Sequence, residues 1–570
     1  MNNLSHGEAG KHEVNFVELL PLRNTSFDTQ ALAQLAQQMK GDVDTVKDGP
    51  DPEENLLVPA GYTYFGQFID HDLTFDSTSS LDPHNKSAKP TDLRTPIFDL
   101  DCLYGDGPDA QPYMYDGAKL LYKNEPTLQG AKDLAGQDLL RNPLGRAIIG
   151  DKRNDENSIV SQIQLAFIKY HNAVVDHLKT QDPNSWDRTN KPVDEKVLNN
   201  KLFNAARNEV RWTYQKLIIE DFLPRIVAPE ALKGLTKLDS ATRKNNYHLY
   251  TEDKRHSLPR EFVAAAYRFG HSGVRTGYRL NKELPNRFSI FPASSDPTPT
   301  AGSDSLLGFD PITNNQVIDS WARFFPESLP GEIDKKESRE TAADEAPRGE
   351  IRLQYAYKID PTLVDPLGVI PRREVAGEAT TQEAVNLIGA LPDKVGEPPR
   401  PSLALLNLLR GNSYKIESGQ AFAKNLIDKN YNFKPIDKSH LVVRKGFKDI
   451  NGNTVFKFVP IPDKLLDQTP LWFYILAEAQ APLVDKINQL QKSNQFPEDY
   501  LLNNNIITEG TSTQLRGVGG RIVAEVFYGV LDSDPNSYIN AASQDWQPIL
   551  GNESKLIIHS LLKFAEPSSI

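Results

Sequence analysis

Apolar residues at Phe65, Phe68, Ile69 and Leu73, with polar residues between them, predict a buried helix within residues 61–76. On that helix Gln67, Asp70 and His71 stand at i, i+3 and i+4 and share one face, while Asp72 lies one step further round. The same period runs through Ile159, Ile163, Ala166, Phe167, Val174 and Leu178 and predicts a long helix over 158–179. Thr29 to Met39 reads as an amphipathic helix, and Glu209 to Phe222 as another. Glu261 to Ser272 reads as a short helix of small residues (Ala264, Ala265, Ala266, Gly270) carrying one histidine, His271. His440 to Pro460 alternates around Asn451-Gly452, a hairpin signal. Ser77–Lys89 and the stretches 290–350 and 375–401, rich in Pro, Gly, Ser and charge, are expected as surface loops and insertions.

An amide, a carboxylate and an imidazole on one apolar helix are costly unless each is partnered, so Gln67, Asp70 and His71 ask for a ligand or a buried polar network. Thr95, Asp99 and Asp101 alternate along what reads as an extended loop, so their oxygens could converge on a hard cation such as calcium. Spacing alone fits a turn with Asp caps better. Arg153 and Glu156 stand three apart at the entrance of the long helix, where Asn154 and Asp155 offer caps. The small residues around His271 would let a flat ligand approach the backbone; a core histidine fits the same pattern. Gly517-Val-Gly-Gly520 lacks the strand–turn–helix setting of a nucleotide loop. His171 and His177 are not at metal-ligand spacing and read as structural.

Composition narrows the picture. The chain has 570 residues and a net charge of −12, which argues against nucleic acid as a general partner. Cys102 is its one cysteine, so no intrachain disulfide forms and thiolate metal clusters are excluded. Residues 1–20 carry no apolar run, and the most apolar window, Pro470–Glu478, is too short to span a bilayer. The expectation is no classical signal peptide and no transmembrane segment, with a cytoplasmic location or release by a leaderless route. The charged run Asp334–Glu350 reads as a solvated loop.

Taken together, four segments in order carry a resemblance. Phe65-Gly-Gln-Phe-Ile-Asp-His-Asp72, Thr95 to Gly105, Gly150-Asp-Lys-Arg-Asn-Asp-Glu156 and Tyr267-Arg-Phe-Gly-His271 resemble the motifs of the animal-type haem peroxidases, in the peroxidase–cyclooxygenase superfamily. Asn407, in Leu405-Leu-Asn-Leu-Leu-Arg-Gly411, is a fifth element. The chain resembles the short bacterial members, which lack a signal peptide and prodomain. The resemblance implies a mainly α fold: one large helical domain, residues 55–570, around a buried haem b, with few short strands and an N-terminal arm over 1–54. It implies catalytic roles for His71, Arg153 and Gln67, with His271 as the iron ligand steadied by Asn407. Arg268 and Arg410 join the haem-binding set. Asp70 and Glu156 match the residues that form ester links to the haem. A calcium ion is implied at Asp72, Thr95, the Ile97 carbonyl, Asp99 and Asp101; much of the family has Ser where Asp101 stands.

The implied reaction is reduction of hydrogen peroxide with oxidation of small donors. A chlorinating member of the family places a sulfonium-forming Met immediately after the ester-forming Glu. Here that position is Asn157, so iodide, bromide, thiocyanate and phenols are the expected donors and chloride a poor one. A fatty-acid dioxygenase or cyclooxygenase-like enzyme is an alternative, but those relatives carry a Tyr three residues before the proximal His, where Arg268 stands. A catalytically idle scaffold on the same fold is another. A metal-phosphohydrolase reading of His71-Asp72 would need further ligand histidines, and upstream only His6 and His12 exist.

Overall fold

In the computed structural model the described residues are 14–41, 53–75, 91–124, 137–181, 195–236, 240–282, 288–291, 305–331, 353–368, 402–448, 454–492, 512–543, 545–550 and 556–566. The architecture is mainly α. Helix α1 (Thr29–Met39) begins at Asp28, whose side chain accepts from the Ala31 amide, and buries Leu32, Leu35 and Met39. Helix α2 (Gly61–Leu73) realises the periodicity centred on Phe65 and Phe68. A single turn, α3 (Asp101–Tyr104), precedes the long α4 (Ser158–Thr180), where Asn157 caps the amides of Ile159 and Val160. Then follow α5 (Glu195–Leu217), α6 (Arg260–Ala264), α7 (Leu403–Ser413), α8 (Gly419–Asp428), α9 (Leu471–Lys492), α10 (Gly517–Ser533) and α11 (Ile558–Ala565).

Helix α2 sits at the centre. It packs on α4 and on the 3₁₀ turn Ala266–Gly273 that follows α6. The Phe68 ring stacks on Phe167 of α4 at 4.9 Å, and both meet Tyr214 of α5 edge-on, burying aromatic area where it contributes most. The strands among the described residues form antiparallel two-stranded ribbons. One pairs Glu54–Pro59 with Tyr355–Tyr357 and delivers the chain into α2. The longest, Val442–Lys448 with Thr454–Pro460, is the expected hairpin. The arm is tied to the rest: Val14–Asn15 pairs with Thr91–Asp92, and α1 lies on α7 within the main core.

Three expectations change. Glu261–Ser272 is not one helix: Ala265, at φ −139° and ψ −69°, breaks it into α6 and the 3₁₀ turn, which re-aims His271. The helix expected from Glu209 begins at Glu195 and ends in a π-helical turn, Ile218–Phe222; a polar first half hides its start. Residues 95–105 are not extended. Leu100, at φ +59°, turns the chain so that Asp101 opens α3, a strained conformation for a branched side chain. Gly517–Gly520 opens α10. A Cβ at Gly519 or Gly520 would come within 2.8 Å of Ile475 or Ala231, so this glycine run serves close packing. Ser77–Lys89, 334–350, 375–401 and the turn Asn451-Gly452 lie outside the described residues.

Candidate active site

A cavity of about 350 Å³ is walled by α2, the segment ending in Glu156 and Asn157, the 3₁₀ turn 266–273 and α7. Helix α2 contributes Gln67, Asp70 and His71 to it, so the three residues on one helix face do converge. Arg153, Glu156, Arg268, His271 and Arg410 also line it.

His71 is 4% exposed. Its Nδ1 lies 2.7 Å from Asn154 Oδ1, and its Nε2 lies 3.7 Å from Glu156 Oε1. Burial, aided by the Arg153 charge, pushes the imidazole down to about 3, so it is neutral at ordinary pH. Gln67 donates through Nε2 to Glu156 Oε1 and accepts from Asn157 Nδ2 at 3.0 Å. Burial raises Glu156 to about 7 against the opposing pull of Arg153. Asp70 is likewise raised by burial, and its carboxylate accepts from the Thr74 hydroxyl at 3.1 Å.

Arg153 is more constrained than a bare cation. Its Nη2 donates to Asp151 Oδ2 at 2.8 Å and to the carbonyls of His71 and Thr74, and its guanidinium lies 4.7 Å from the Phe75 ring centroid. Those carbonyls end α2, so the guanidinium also caps the helix that carries His71. Burial works against its charge, and Asp151 more than offsets that.

On the 3₁₀ turn, His271 Nδ1 lies 2.8 Å from Asn407 Nδ2, while Asn407 Oδ1 accepts from Arg268 Nη1 at 3.0 Å. Burial and then the Arg268 charge push His271 down to about 3. Asn407 Nδ2 at Nδ1 leaves Nε2 for the cavity, and a Cβ at the neighbouring Gly270 would meet nothing within 4 Å.

Behind α2, carboxylate oxygens of Asp72, Asp99 and Asp101 lie within 4.8 Å of one another. Both Asp72 oxygens and Asp101 Oδ1 are buried without a hydrogen bond; the Tyr214 hydroxyl is near enough to ease the Asp72 charge but closes no bond of normal geometry. Burial, then the neighbouring carboxylates, raise Asp72 well above its usual range and Asp101 to about 7. Orphaned buried carboxylate oxygens in a cluster fit a hard cation. Thr95 joins through its hydroxyl, 2.9 Å from Asp99 Oδ2, and the Ile97 carbonyl accepts the Asp99 amide at 3.1 Å.

Residues 94–336 match the animal haem peroxidase family. The chain is 27% identical over 134 residues to chorion peroxidase of Drosophila melanogaster, covering 24% of this chain and 15% of that one. It is 28% identical over 182 residues to chorion peroxidase of Aedes aegypti, covering 32% and 21%. These matches span a minor part of the relatives' length. Among solved structures, peroxidase A of Dictyostelium discoideum is similar at a TM-score of 0.48 and 13% identity, covering 93% of this chain and 90% of that one. A fatty acid alpha-dioxygenase of Oryza sativa is similar at 0.45 and 15%, covering 96% and 78%.

The peroxidase-family stretch includes Thr95–Asp101, Arg153, Glu156 and His271, whereas Gln67–Asp72 and Asn407 lie outside it. Hydrogen bonds join the two sets: His71 to Asn154, Gln67 to Glu156, and Asn407 to His271. Sequence reading took Asn154 only as a helix cap and passed over Gln164, Asp151 and Thr74. For Asp151, Asn154 and Gln164 the signal was a run of amides and carboxylates in and before α4, legible only once a partner is known; Thr74, at the end of α2, gave none.

Proposed function

We propose that the chain is a haem peroxidase that reduces hydrogen peroxide and oxidises small donors. One observation carries this reading: a single cavity is walled by two neutral imidazoles, one buried and one half-buried, each with an Asn side chain at Nδ1 and each turning Nε2 to the cavity. The residues fit haem b. His271 Nε2 would hold the iron, Arg268 and Arg410 would meet the haem carboxylates, and Asp70 and Glu156 supply carboxyls for ester links. Bound haem supplies an iron that takes up peroxide and accepts its two oxidising equivalents.

The chain's own groups do the proton work. His71 takes a proton at Nε2 from one peroxide oxygen and returns it to the departing one. Arg153 holds a fixed positive charge beside that departure, with Asp151 keeping it in place. Gln67, fixed by Asn157 and Glu156, orients a water or small anion beside His71. Calcium fits the oxygens of Asp72, Thr95, Ile97, Asp99 and Asp101, and would tie α2 to the 95–101 loop. Residues 55–570 form the catalytic domain in this reading, with 1–54 as an N-terminal arm. Iodide, bromide, thiocyanate and phenols are the donors; Asn157 can form no sulfonium link. Among the described residues no helix is long and apolar enough to cross a membrane.

A dioxygenase reading is disfavoured by Arg268, and the neighbouring Tyr267 hydroxyl is engaged, donating to the Gly66 carbonyl at 3.1 Å. The test is the absorbance spectrum of the haem-loaded protein with peroxide turnover on iodide and a phenol. A Soret band with turnover is expected; a protein that binds no haem, or that consumes a fatty acid and oxygen without peroxide turnover, overturns the reading.

A further inference from the structure

A carbonyl oxygen can only accept, and that fact fixes a chain of side chains ending at His71. Gln164 Nε2 lies 3.4 Å from the Cys102 carbonyl oxygen, so the NH₂ end of Gln164 faces it. The other end, Oε1, then accepts from Asn154 Nδ2 at 2.8 Å. Asn154 is left with Oδ1 toward His71 Nδ1 at 2.7 Å, and an oxygen there calls for a proton on the ring nitrogen. Gln164 and Asn154 are fully buried and His71 nearly so, so no solvent re-pairs the chain. The opposite arrangement would require both amides to turn, setting Gln164 Oε1 against the Cys102 carbonyl and leaving two buried acceptors face to face.

The anchor is itself fixed. The Cys102 carbonyl also accepts the Asp151 amide at 3.1 Å. A Cβ at Gly150 would come within 2.7 Å of that carbonyl oxygen, so only glycine lets the segment that carries Asp151 and Arg153 pass so close. One backbone carbonyl thus holds both the segment that places Arg153 and the amide chain behind His71.

We propose that Asn154 and Gln164 are positioning residues that hold the His71 imidazole as its Nδ1–H tautomer, so that Nε2 meets the cavity with a lone pair. This rests on the peroxidase reading, in which His71 must accept a proton from peroxide at Nε2. An imidazole with its proton at Nε2 has nothing to accept with on the cavity side, and a correctly placed ring in the wrong tautomer is a poor base.

The first test needs no catalysis. The full chain, labelled with ¹⁵N-histidine and without haem, is examined by two-bond ¹H–¹⁵N correlation, with His71 assigned by its loss in His71→Gln. A protonated Nδ1 and a bare Nε2 are expected; a proton on Nε2 overturns the proposal. The second test uses haem-loaded variants in stopped flow. Asn154→Leu is expected to slow the reaction with peroxide by about 10²-fold, and Asn154→Asp, which keeps an acceptor oxygen at Nδ1, to recover most of that loss. An unchanged rate in Asn154→Leu overturns the positioning role and leaves the peroxidase reading standing. That reading falls separately, if haem-loaded His71→Ala keeps its full rate.

Discussion

His71 and His271 look alike in charge: each is pushed down to about 3 by desolvation first and an arginine second. Each also has an Asn side chain at Nδ1. The Asn atoms differ, an oxygen at His71 and a nitrogen at His271. What stands behind each Asn decides this. Behind Asn154 is an acceptor, Gln164 Oε1, which turns the Asn154 oxygen toward His71. Behind Asn407 is a donor, Arg268 Nη1, which takes the Asn407 oxygen and turns its nitrogen toward His271. One ring is set to accept a proton from the cavity. The other, accepting at Nδ1, carries its proton at Nε2 in the haem-free chain, so binding a metal through Nε2 requires that proton to leave, or to move to Nδ1 with the Asn407 amide turned to accept it. The identity of a histidine's partner therefore says less than the polarity imposed by the residue one step further out.

The largest expected effects separate the two rings. His271→Ala should abolish haem binding, read as loss of the Soret band on titration, and Asn407→Ala should weaken haem affinity by about 10–100-fold. His71→Ala should keep the Soret band and slow the reaction with peroxide by about 10²–10⁴-fold in stopped flow. If either variant showed the other's phenotype, the roles would be exchanged. Arg153→Ala separates the effects less cleanly, because Arg153 also caps the end of α2 through the His71 and Thr74 carbonyls; both rate and stability should fall.

Calcium removal should act on one ring. Asp72 follows His71 in α2 and faces Asp99 and Asp101, whereas His271 stands on a separate element, the turn Ala266–Gly273. Chelation should therefore lower the melting temperature and slow the peroxide step while most haem stays bound. Metal analysis that finds no calcium in active protein, or chelation that releases haem without altering the peroxide step, would break the assignment.

The helical core was legible because its periodic stretches are long: α2 and α4 begin where the pattern of Phe65–Leu73 and Ile159–Leu178 puts them. So was the convergence of Gln67, Asp70 and His71, since helical spacing alone places them together. The break at Ala265 was not, because Ala-Ala-Ala is a good helix sequence and tertiary contacts override it. Nor was the turn at Leu100, where a leucine adopts a conformation sequence would reserve for Gly or Asn. Asn154 and Gln164 escaped notice because each acts only through a neighbour distant in sequence.

The smallest expected effect concerns Glu156, the carboxyl beside His71 Nε2. Burial raises it to about 7 from its ordinary 4.5, so the fold favours its protonated form. A group raised in this way contributes stability that is fully present below about pH 4.5, declines as pH rises, and is gone above about 7. The shift would correspond to about 3 kcal/mol, but the side chain is 22% exposed, and solvent screening brings the expected size to about 1–2 kcal/mol. The two imidazoles oppose it, since a depressed histidine adds stability as pH rises toward 6.5. The useful quantity is therefore a difference between variants, in which the histidines cancel. In haem-free protein, Glu156→Gln keeps the amide-sized group beside Gln67 and removes the titration, so it should gain on wild type between pH 5 and pH 8 in urea unfolding. An equal difference at both pH values would mean that Glu156 is ionised throughout. After haem loading and peroxide treatment, wild type should lose this pH dependence as well, because an ester-linked carboxyl no longer titrates. Persistence of the pH dependence, with haem released unmodified in denaturing mass spectrometry, would show that Glu156 carries no link and remains a free carboxyl beside His71.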